Sequence, residues 1–543
     1  MNKPANPYNT CLTSKPLPIG IDFGTTNSAM SKYSQSLFNN GPVSFNFPIT
    51  GGVLYPSMAL LDCETGTIRT GNAAYTHRLT DPEHVIASIK RKISEDISYN
   101  QADKTFTSTD IVEAIFSDFV KEVKLTDHDI KPGAITLTVP YYFGENENAK
   151  ILQAAQNALK NQLNYNAEVY LLPEPVAASI ACIYNLHDEI TSKLFFIYDI
   201  GGGTLDLTLV KITSNSRTFE YEVLANDGIS KFGGDDIDEL IYNYIVRHEG
   251  LDFSQLESHK KILNRARLLD ECKEAKHHLT SSESYSFMCS NLMGIENGYV
   301  EMELTRDTLI DLLSGRQGSN RNMLSELNEC INRLYYKAKI TPDVVRYVVP
   351  VGGTSFIPLF RNQITTIHPQ AKELCSSNIM DNFVLVANGA SIYSAMKCDE
   401  LQNTNLHPFK HANSIEVMKT RVSHALYLEK FNGKYDIIVE ANTLSPAKMQ
   451  KRYYPTKFTS DGSLVDLGAV NLFQGKGESR KTKQFIGSID FSEICIYAHG
   501  RNLDDIPVDI TIEATDTLVI AHCLIPRSDI YGKDIKFRQV IYN

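Results

Sequence analysis

The sequence lacks the motifs that identify several common kinds of site. Its ten cysteines include no C-x-x-C pair and its fourteen histidines include no H-E-x-x-H, so we expect reduced core thiols and no zinc site. No apolar run approaches the ~18–20 residues that a membrane helix needs. The first residues lack the apolar core of a signal peptide, so 1–18 is predicted to be a short disordered arm and the protein to be cytoplasmic.

The chain also lacks an excess of positive charge. Its formal net charge is −11 over 543 residues. A surface of that sign does not attract polyanions, so we expect no nucleic acid partner and no membrane partner held through anionic lipid. The apolar fraction of 42% and the charged fraction of 22% are typical of folded proteins, and a chain of this length is predicted to form about two to four domains.

Strand-like and helix-like segments alternate over the first ~390 residues, which predicts an α/β layered fold. The best strand candidates are 134–140, 193–200 and 344–351. The best helix candidates are 145–163 and 259–279. A polar stretch without periodicity then follows at 396–415, and we interpret it as a linker between domains.

Beyond the linker the helical pattern ends. Short alternating runs separated by turn residues predict a small antiparallel β-sandwich, and in the segment 508–514 the residues Val508, Ile510 and Ile512 are expected to share one face. The predicted organisation is therefore a disordered arm (1–18), an α/β domain (19–395), a linker (396–415) and an all-β sandwich (416–543).

Two related segments, "IGIDFGTTNS" (19–28) and "YDIGGGTLDLTL" (198–209), carry the strongest chemical signal. Neither matches G-x-x-x-x-G-K-[ST] or feeds a helix at Rossmann spacing, so each is predicted to be a strand–turn–strand hairpin. Glycine lets backbone N–H groups approach phosphate oxygens, threonine adds donors, and the aspartates Asp22 and Asp199 suit a hydrated Mg²⁺. One such turn is equally consistent with an ordinary hairpin, but the pair favours one nucleotide held between two lobes.

Two further segments are weaker signals. The segment "VVPVGGTSFIP" (348–358) places a Gly-Gly turn between a strand and a helix start, where an adenosine could lie against the backbone. The helix predicted at 259–279 has an apolar stripe formed by Ile262, Ala266, Leu269, Cys272, Ala275 and Leu279. A second face carries Lys273, Lys276, His277 and Thr280, for which a solvated basic face is the simpler interpretation.

Taken together, both turns, "LLPEPVAASIA" (171–181), "FGGDDID" (232–238) and "VGGTSFIP" (351–358) resemble, in this order, the ATPase domain of the DnaK-type heat-shock chaperones, the seventy-kilodalton class. The similarity extends over about residues 19–395. It implies an actin-like, two-lobed α/β ATPase domain. More loosely, "VEANTLSPAK" (439–448) and "DITIEATDTLVIAHCL" (509–524) resemble the β-sandwich peptide-binding domain of the same family.

The resemblance implies that ATP or ADP binds with Mg²⁺, and that Asp22 and Asp199 hold the metal through its waters. It implies a catalytic set of Lys90, Glu174, Asp22, Asp199, Thr204 and Asp206. The implied phosphate contacts are Gly24, Thr25, Thr26, Asn27, Gly201, Gly202, Gly203, Thr204 and Gly233. The implied adenosine contacts are Lys276, His277, Thr280, Gly352, Gly353, Thr354 and Phe356.

The sequence departs from the family pattern at several positions. Lys273 stands in place of an acid that contacts the ribose, Phe356 in place of an arginine packed on adenine, and Phe383 in place of an aspartate. Pro140 matches the family proline that relays the nucleotide state, but Asn148 replaces the arginine of that relay. The linker lacks the family's leucine run, keeping only Leu401 and Leu406, and because the sequence stops at Asn543 we expect no helical lid.

The leading hypothesis is a divergent, lidless chaperone that hydrolyses ATP slowly to alter its grip on unfolded or extended peptides, or on one specialised client. A J-domain co-chaperone and a nucleotide exchange factor are the further partners that the resemblance implies. A second hypothesis is a docking protein that uses ATP as a structural ligand for one partner. A small-molecule kinase or an actin-like filament protein is a third, disfavoured because no second substrate pocket is found and because a filament has no use for the sandwich.

Overall fold

The computed structural model describes residues 17–402 apart from short gaps, and then the strands of the C-terminal region. The gaps before residue 402 are 36–39, 63–64, 94, 96, 102–103, 128–129, 142, 167–168, 187–191, 215–218, 317 and 377. Beyond residue 402 the described residues are 417–419, 425–429, 435–440, 443, 447–453, 464–466, 469–475, 483–491, 495–497, 507–514, 519–526 and 534–541. Residues 1–16, most of the arm predicted to be disordered, lie outside these ranges. Within them, no helix has the length and apolar character needed to cross a membrane.

The first lobe is a sheet with helices packed on it. Its strands are β1 Leu17–Asp22, β2 Asn27–Gln35, β3 Asn40–Ser44, β4 Tyr55–Pro56, β5 Ala59–Asp62, β6 Thr67–Thr70, β7 Val85–Ile86, β8 Ser98–Gln101, β9 Lys104–Thr107, β10 Pro132–Val139 and β11 Val169–Pro173. Its helices are α1 Asn72–His77, α2 Ser108–Thr126, α3 Glu145–Leu163 and α4 Glu174–Leu186. The central sheet has the order β11-β10-β1-β2-β3, with β1 parallel to β10 and antiparallel to β2. Helices α2 and α3 cover it and bury a core of their own.

The second lobe repeats this plan. Its strands are β12 Lys193–Ile200, β13 Leu205–Ser214, β14 Phe219–Ile229, β15 Ser284–Ser290, β16 Tyr299–Thr305, β17 Tyr347–Val351 and β18 Lys372–Glu373. Its helices are α5 Gly234–His248, α6 Ser258–Ser281, α7 Arg306–Leu313, α8 Met323–Ala338, α9 Pro358–Ile367 and α10 Ile379–Phe383, after which α11 Leu385–Gln402 returns to pack on β1 and β10 of the first sheet. The sheet order β18-β17-β12-β13-β14 again sets a hairpin beside a parallel strand. A second separate core lies beneath α5, α6 and α8.

Helices α4 and α11 join the two lobes. They pack against each other between the two sheets, and their apolar residues form a third core that includes Phe195 and Tyr347 of the second sheet and Leu172 of the first. At the closest points, a Cβ atom on Gly389 would overlap the backbone of Ala177, so the helices cross at backbone contact. The predicted two-lobed α/β domain is confirmed.

The C-terminal region consists of antiparallel sheets. Its strands are β19 Val417–Lys419, β20 Ala425–Glu429, β21 Tyr435–Val439, β22 Ala447–Tyr453, β23 Leu464–Asp466, β24 Ala469–Gly475, β25 Lys483–Asp490, β26 Cys495–Tyr497, β27 Val508–Ala514, β28 Val519–Ile525 and β29 Ile535–Ile541. The sheets β21-β20-β24-β25 and β22-β27-β28-β29 bury one apolar core between them, which confirms the all-β sandwich. Val508, Ile510 and Ile512 lie in that core as predicted, whereas Asp509 is held by a bidentate pair with Arg452.

Two predicted boundaries need correction. Helix α11 continues to Gln402, inside the segment 396–415 interpreted as linker, because Met396 and Cys398 are buried against the domain. Residues 403–416 lie outside the described range. Strand β19, which falls within the predicted sandwich, pairs in parallel with β14 of the second lobe instead, with Val417 opposite Glu220 and Lys419 opposite Glu222.

The buried face predicted for the helix at 259–279 is also partly wrong. Ile262 is 38% exposed, whereas Lys276, assigned to a polar face, is only 6% exposed. The buried side of α6 is formed by Leu263, Asn264, Leu268, Cys272, Ala275, Lys276 and Leu279. Apolar spacing could not reveal this face, because Asn264 and Lys276 are buried through polar partners in the folded domain.

Candidate active site

The two Asp–Gly–Thr segments form the predicted hairpins. Asp22 ends β1, and the chain turns back into β2, which pairs antiparallel with β1. Asp199 lies near the end of β12 directly opposite Asp206 of β13, and the Gly201 N–H donates to the Thr204 carbonyl at 3.1 Å to close the turn. Both strands run toward the cleft, so each lobe presents one carboxylate and one glycine-rich turn there.

The turns face each other at close range. A Cβ atom on Gly202 would overlap the Thr26 hydroxyl of the opposite lobe, and a Cβ atom on Gly233 would overlap the backbone of Gly202 and Gly203. The Thr26 hydroxyl is buried and has no hydrogen-bond partner among the described residues. Because a buried unpaired hydroxyl is costly, a phosphate oxygen that accepts this hydrogen bond fits the turn.

A buried lysine lies at the floor of the cleft. Lys90 is 4% exposed, and its Nζ contacts Glu174 Oε1 at 2.5 Å and donates to the Phe23 carbonyl at 2.5 Å. Glu174 begins α4 immediately after β11, which only β10 separates from β1 in the first sheet. Burial alone would lower the pKa of Lys90, but the carboxylates of Glu174 and Asp22 raise it above its ordinary value, so the lysine stays charged.

The carboxylates around Lys90 carry more negative charge than it can neutralise. Burial, then the Glu174 carboxylate, raises the pKa of Asp22 to about 7 and the pKa of Asp206 to about 7. The same two causes raise the pKa of Asp199 well above its usual range. A cavity opens beside Glu174, Asp199 and Asp206.

These residues fit a hydrated Mg²⁺ together with phosphates. A divalent cation would lower each of these raised pKa values and compensate the excess charge. Among the described residues, no three His, Cys, Asp or Glu side chains converge closely enough to ligate a metal directly. Asp22 and Asp199 are the side chains that would hold the cation, through its water ligands, as Mg²⁺ permits. Thr138 Oγ1 orients Asp22 by donating to its Oδ1 at 2.9 Å.

The residues predicted to hold adenosine gather on the second lobe. Thr354 Oγ1 donates to the Gly201 carbonyl at 2.9 Å, which ties the Gly352–Gly353 turn to the phosphate turn. Lys276 is tied down as well, since its Nζ contacts Asp238 Oδ1 at 2.7 Å and donates to the Gly234 carbonyl at 2.9 Å. The adenosine end thus adjoins the phosphate end as a nucleotide requires.

The other residues predicted to contact adenosine are an uncharged histidine, a threonine bonded within its own helix and a buried phenylalanine. Desolvation, then Lys276 and Lys273, lowers the pKa of His277 to about 4, so its imidazole is neutral at pH 7. Thr280 Oγ1 donates to the Lys276 carbonyl within its own helix at 3.0 Å. Phe356 is 8% exposed, packed beside Phe383.

The structure thus brings the predicted catalytic residues together, with Thr204 hydrogen-bonded to Asp206. The predicted phosphate contacts lie on the two turns, at Gly24, Thr25, Thr26, Asn27, Gly201, Gly202 and Gly203, whereas Gly233 is the N-cap of α5 and packs against the second turn. Their roles toward a nucleotide remain predictions.

Sequence reasoning missed the residues that bridge the lobes. Arg91, next to Lys90, donates across the cleft to the carbonyls of Gly203 and Ser230. Arg78 pairs with Asp270 of α6, with Nε–Oδ1 at 2.9 Å. A basic residue beside Lys90 was visible in "IKRK", but only the fold shows which lobe each side chain reaches.

Comparisons with known proteins agree with this geometry. The sequence profile described as Hsp70 protein matches residues 96–523. The chain is 30% identical over 368 residues to a chaperone protein HscA homolog from Laribacter hongkongensis, covering 64% of this chain and 54% of that protein, so it spans about half the length of that relative. It is 26% identical over 501 residues to a chaperone protein DnaK from Thermoplasma volcanium, covering 91% of this chain and 74% of that protein.

A third relative extends the agreement. The chain is 25% identical over 511 residues to a chaperone protein DnaK from Endomicrobium trichonymphae, covering 93% of this chain and 74% of that protein. At 91% and 93% of this chain, the two DnaK alignments extend over most of both the α/β domain and the sandwich. With the family profile matching most of the chain and the two-lobed domain followed by antiparallel sheets, the chain belongs to the Hsp70 family, whose members are ATP-binding chaperones.

Proposed function

We propose that this protein is an ATP-dependent chaperone that binds and slowly hydrolyses Mg-ATP in its N-terminal domain and thereby alters how its C-terminal sandwich holds an extended peptide. The observation that carries the proposal is the convergence of Lys90, Glu174, Asp22, Asp199 and Asp206 between two facing glycine-rich turns. Binding alone would not require a buried lysine and a cluster of carboxylates at the γ-phosphate end.

Each side chain has a defined task in this chemistry. Lys90 supplies positive charge to the transferring phosphoryl group, and its contact with Glu174 fixes both side chains. Glu174 and Asp206 both line the cavity, where they can orient the attacking water. When bound, Mg²⁺ neutralises charge on the phosphates, and the backbone N–H groups of the two turns hold their oxygens.

Contacts between the domains support coupling. Strand β19 extends the sheet of the second lobe at β14, so the segment joining the domains is attached to the lobe that would close on a nucleotide. The sandwich also contacts the first lobe, because Gln474 packs against Gly144, the residue at which α3 begins. A change in the relative position of the lobes therefore changes the contacts that hold the sandwich.

The path from the metal site to this contact is short. Thr138, the hydrogen-bond partner of Asp22, lies in β10, which leads through Pro140 to Gly144 and α3. Asn148, one turn into α3, is 2% exposed, and its Oδ1 has no partner among the described residues. Asn148 thus lies close to the contact with the sandwich.

The proposed partners follow from the family. We propose extended peptides as the general clients, with a J-domain protein and a nucleotide exchange factor as regulators of the ATPase cycle. One dedicated partner docked on the sandwich, with ATP as a structural ligand, is the alternative. The Oδ1 atom of Asn148, which has no hydrogen-bond partner among the described residues, favours this docking alternative. A relay between domains that contains an unsatisfied polar group is weaker than one whose hydrogen-bond network is complete.

The test is the release rate of a fluorescent extended peptide from the full-length protein in Mg-ATP and in Mg-ADP. The proposal predicts that the peptide leaves the wild type faster in Mg-ATP than in Mg-ADP. In the Gln474→Ala variant, the release rates in the two nucleotides should be more alike. Gln450→Ala, an exposed glutamine on β22 of the other sheet, should behave as the wild type. Equal rates in the wild type would contradict the coupling, and no peptide binding at all would favour the docking alternative.

A further inference from the structure

The base of a bound nucleotide has a restricted place in this cleft. Gly352 adopts φ 75°, and a Cβ atom there would lie 2.6 Å from Asp199 Oδ1, so this turn borders the proposed metal site directly. The hydrogen bond from Thr354 to Gly201 fixes its distance from the phosphate turn. A nucleoside whose phosphates lie on Gly201–Thr204 must therefore place its base beside the residues that follow Gly353 and beside α6.

Three of the polar side chains at this place, Lys276, Thr280 and Thr354, already have protein partners. Two of the three N–H groups of Lys276 are directed at Asp238 and the Gly234 carbonyl. Thr280 donates to the Lys276 carbonyl, and Thr354 donates to the Gly201 carbonyl. The donors of these three side chains, which would otherwise distinguish the polar edge of one base from another, are thus largely committed to the protein itself, and the imidazole of His277 beside them carries no charge at pH 7.

The apolar side chains form an aromatic pair. The rings of Phe356 and Phe383 have centroids 6.3 Å apart with planes at 65°, an edge-to-face arrangement. The Phe383 ring also covers Gly353, where a Cβ atom would lie 3.0 Å from its edge. Phe356 and Phe383, two of the positions at which the sequence departs from charged residues of the family pattern, therefore contact each other as an aromatic pair.

We propose that this site recognises the base by stacking on the Phe356–Phe383 pair, and that it accepts GTP as well as ATP. The inference rests on the proposed nucleotide function. An aromatic face stacks on any purine, whereas strong discrimination requires buried polar groups that are left unpaired by the wrong base. GTP is therefore expected to bind within about tenfold of ATP, with the smaller base of UTP weaker than both.

The experiment is calorimetric titration of the full-length protein with Mg-ATP, Mg-GTP, Mg-UTP and magnesium tripolyphosphate. Phe356→Leu keeps the apolar volume but removes the aromatic face, and should weaken ATP and GTP equally while leaving tripolyphosphate unchanged. Phe356→Arg combined with Phe383→Asp restores charged groups and should increase the preference for ATP over GTP. Phe485→Ala, a phenylalanine of the sandwich that is 45% exposed, is the matched control.

The outcomes separate this inference from the proposed function. Tight binding of ATP with GTP weaker by a hundredfold or more would overturn recognition by stacking and leave the ATPase proposal intact. Equal affinity for ATP in the wild type and in Phe356→Leu would overturn it as well. Failure of every nucleotide and of tripolyphosphate to bind would overturn the nucleotide site itself, and the inference with it.

Discussion

The hydroxyl of Thr26 in the first lobe lies directly against Gly202 in the second, so close that a Cβ atom on Gly202 would overlap it. The two glycine-rich turns therefore meet only because one of them has no side chain at this point. Gly202→Ala must push the turns apart or displace Thr26. We expect Mg-ATP affinity to fall by at least about tenfold, since phosphate contacts from the two lobes could no longer form together.

The control for that variant lies in the same lobe as Thr26. Gly52 has no atom within 4 Å of the place where a Cβ would be added, so Gly52→Ala should bind Mg-ATP as the wild type does. Binding by titration distinguishes the two variants. Unchanged affinity in Gly202→Ala would show that the turns need not approach each other to hold the nucleotide.

Lys90→Ala should nearly abolish hydrolysis while nucleotide stays bound. The lysine faces Glu174 at 2.5 Å on the side of the carboxylate cluster, so its charge acts where charge develops on the phosphoryl group. We expect single-turnover hydrolysis to slow by about a thousandfold. Lys92→Ala on the same short helix is the control, and normal turnover by Lys90→Ala would contradict the assignment.

The pair Arg78–Asp270 should control how fast nucleotide leaves. It joins the residue that directly follows α1 in the first lobe to α6 of the second through two hydrogen bonds, and the guanidinium also covers the Tyr75 ring at 3.6 Å. Both side chains are 21% exposed, so the pair is only partly screened by solvent. Arg78→Ala should speed ADP release by about fivefold, corresponding to a partly exposed pair of about 1 kcal/mol.

The charge reversal Arg78→Asp with Asp270→Arg should restore slow release, which separates the ion pair from a change in packing. Arg69→Ala, which removes an exposed pair within the first lobe at 3.6 Å, should leave release unchanged. Stopped-flow release of a fluorescent ADP measures all of these rates. Identical release from Arg78→Ala and the wild type would show that the pair does not hold the cleft closed.

His368 should make the second lobe sensitive to acid. Its Nδ1–H donates to the Ile364 carbonyl, Tyr335 contacts its Nε2 at 2.5 Å, and burial lowers its pKa below the ordinary value of 6.5. The unfolded chain therefore binds a proton that the folded lobe resists. Stability from this group is fully present above about pH 6.5 and is lost as the pH falls below it, by up to about 1.4 kcal/mol per pH unit.

Thermal unfolding at about pH 7.5 and about pH 5.5 measures this effect. The melting temperature of the wild type should fall more between the two conditions than that of His368→Gln, although the variant starts lower. His522→Gln, which changes a histidine whose side chain is 43% exposed, should keep the slope of the wild type. An equal fall in melting temperature between the two pH values in the wild type and in His368→Gln would contradict the prediction.

Local patterns were sufficient to predict much of the fold. The segment 193–200 forms β12 with those bounds, and 145–163 forms α3, because alternation and helical spacing reflect the face that each element buries. The end of α11 was not predictable, because its last turns look polar along the sequence while Met396 and Cys398 are buried by distant strands. The pairing of β19 with β14 depends on where the sandwich sits, which no local pattern encodes.

The candidate site was predictable where chemistry requires a particular residue type next to a turn. Asp22 and Asp199 belong to this class, since glycine and threonine follow them in the sequence. Lys90 and Glu174 came from family resemblance alone, and their contact at 2.5 Å joins residues 84 positions apart. The position of Phe356 beside Phe383 could be found only from the structure, because the two residues are 27 positions apart and no local pattern shows that they meet.

The most direct test of a metal–nucleotide site between the two lobes is the affinity for ATP in Mg²⁺ and in EDTA, measured for the wild type and for Asp199→Asn. Asp343→Asn, an exposed aspartate, is the matched control. We predict that Mg²⁺ strengthens ATP binding to the wild type and to the control by at least about tenfold, and that Asp199→Asn loses most of this gain. Equal affinity with and without Mg²⁺ in the wild type, or an undiminished gain in Asp199→Asn, would contradict the site.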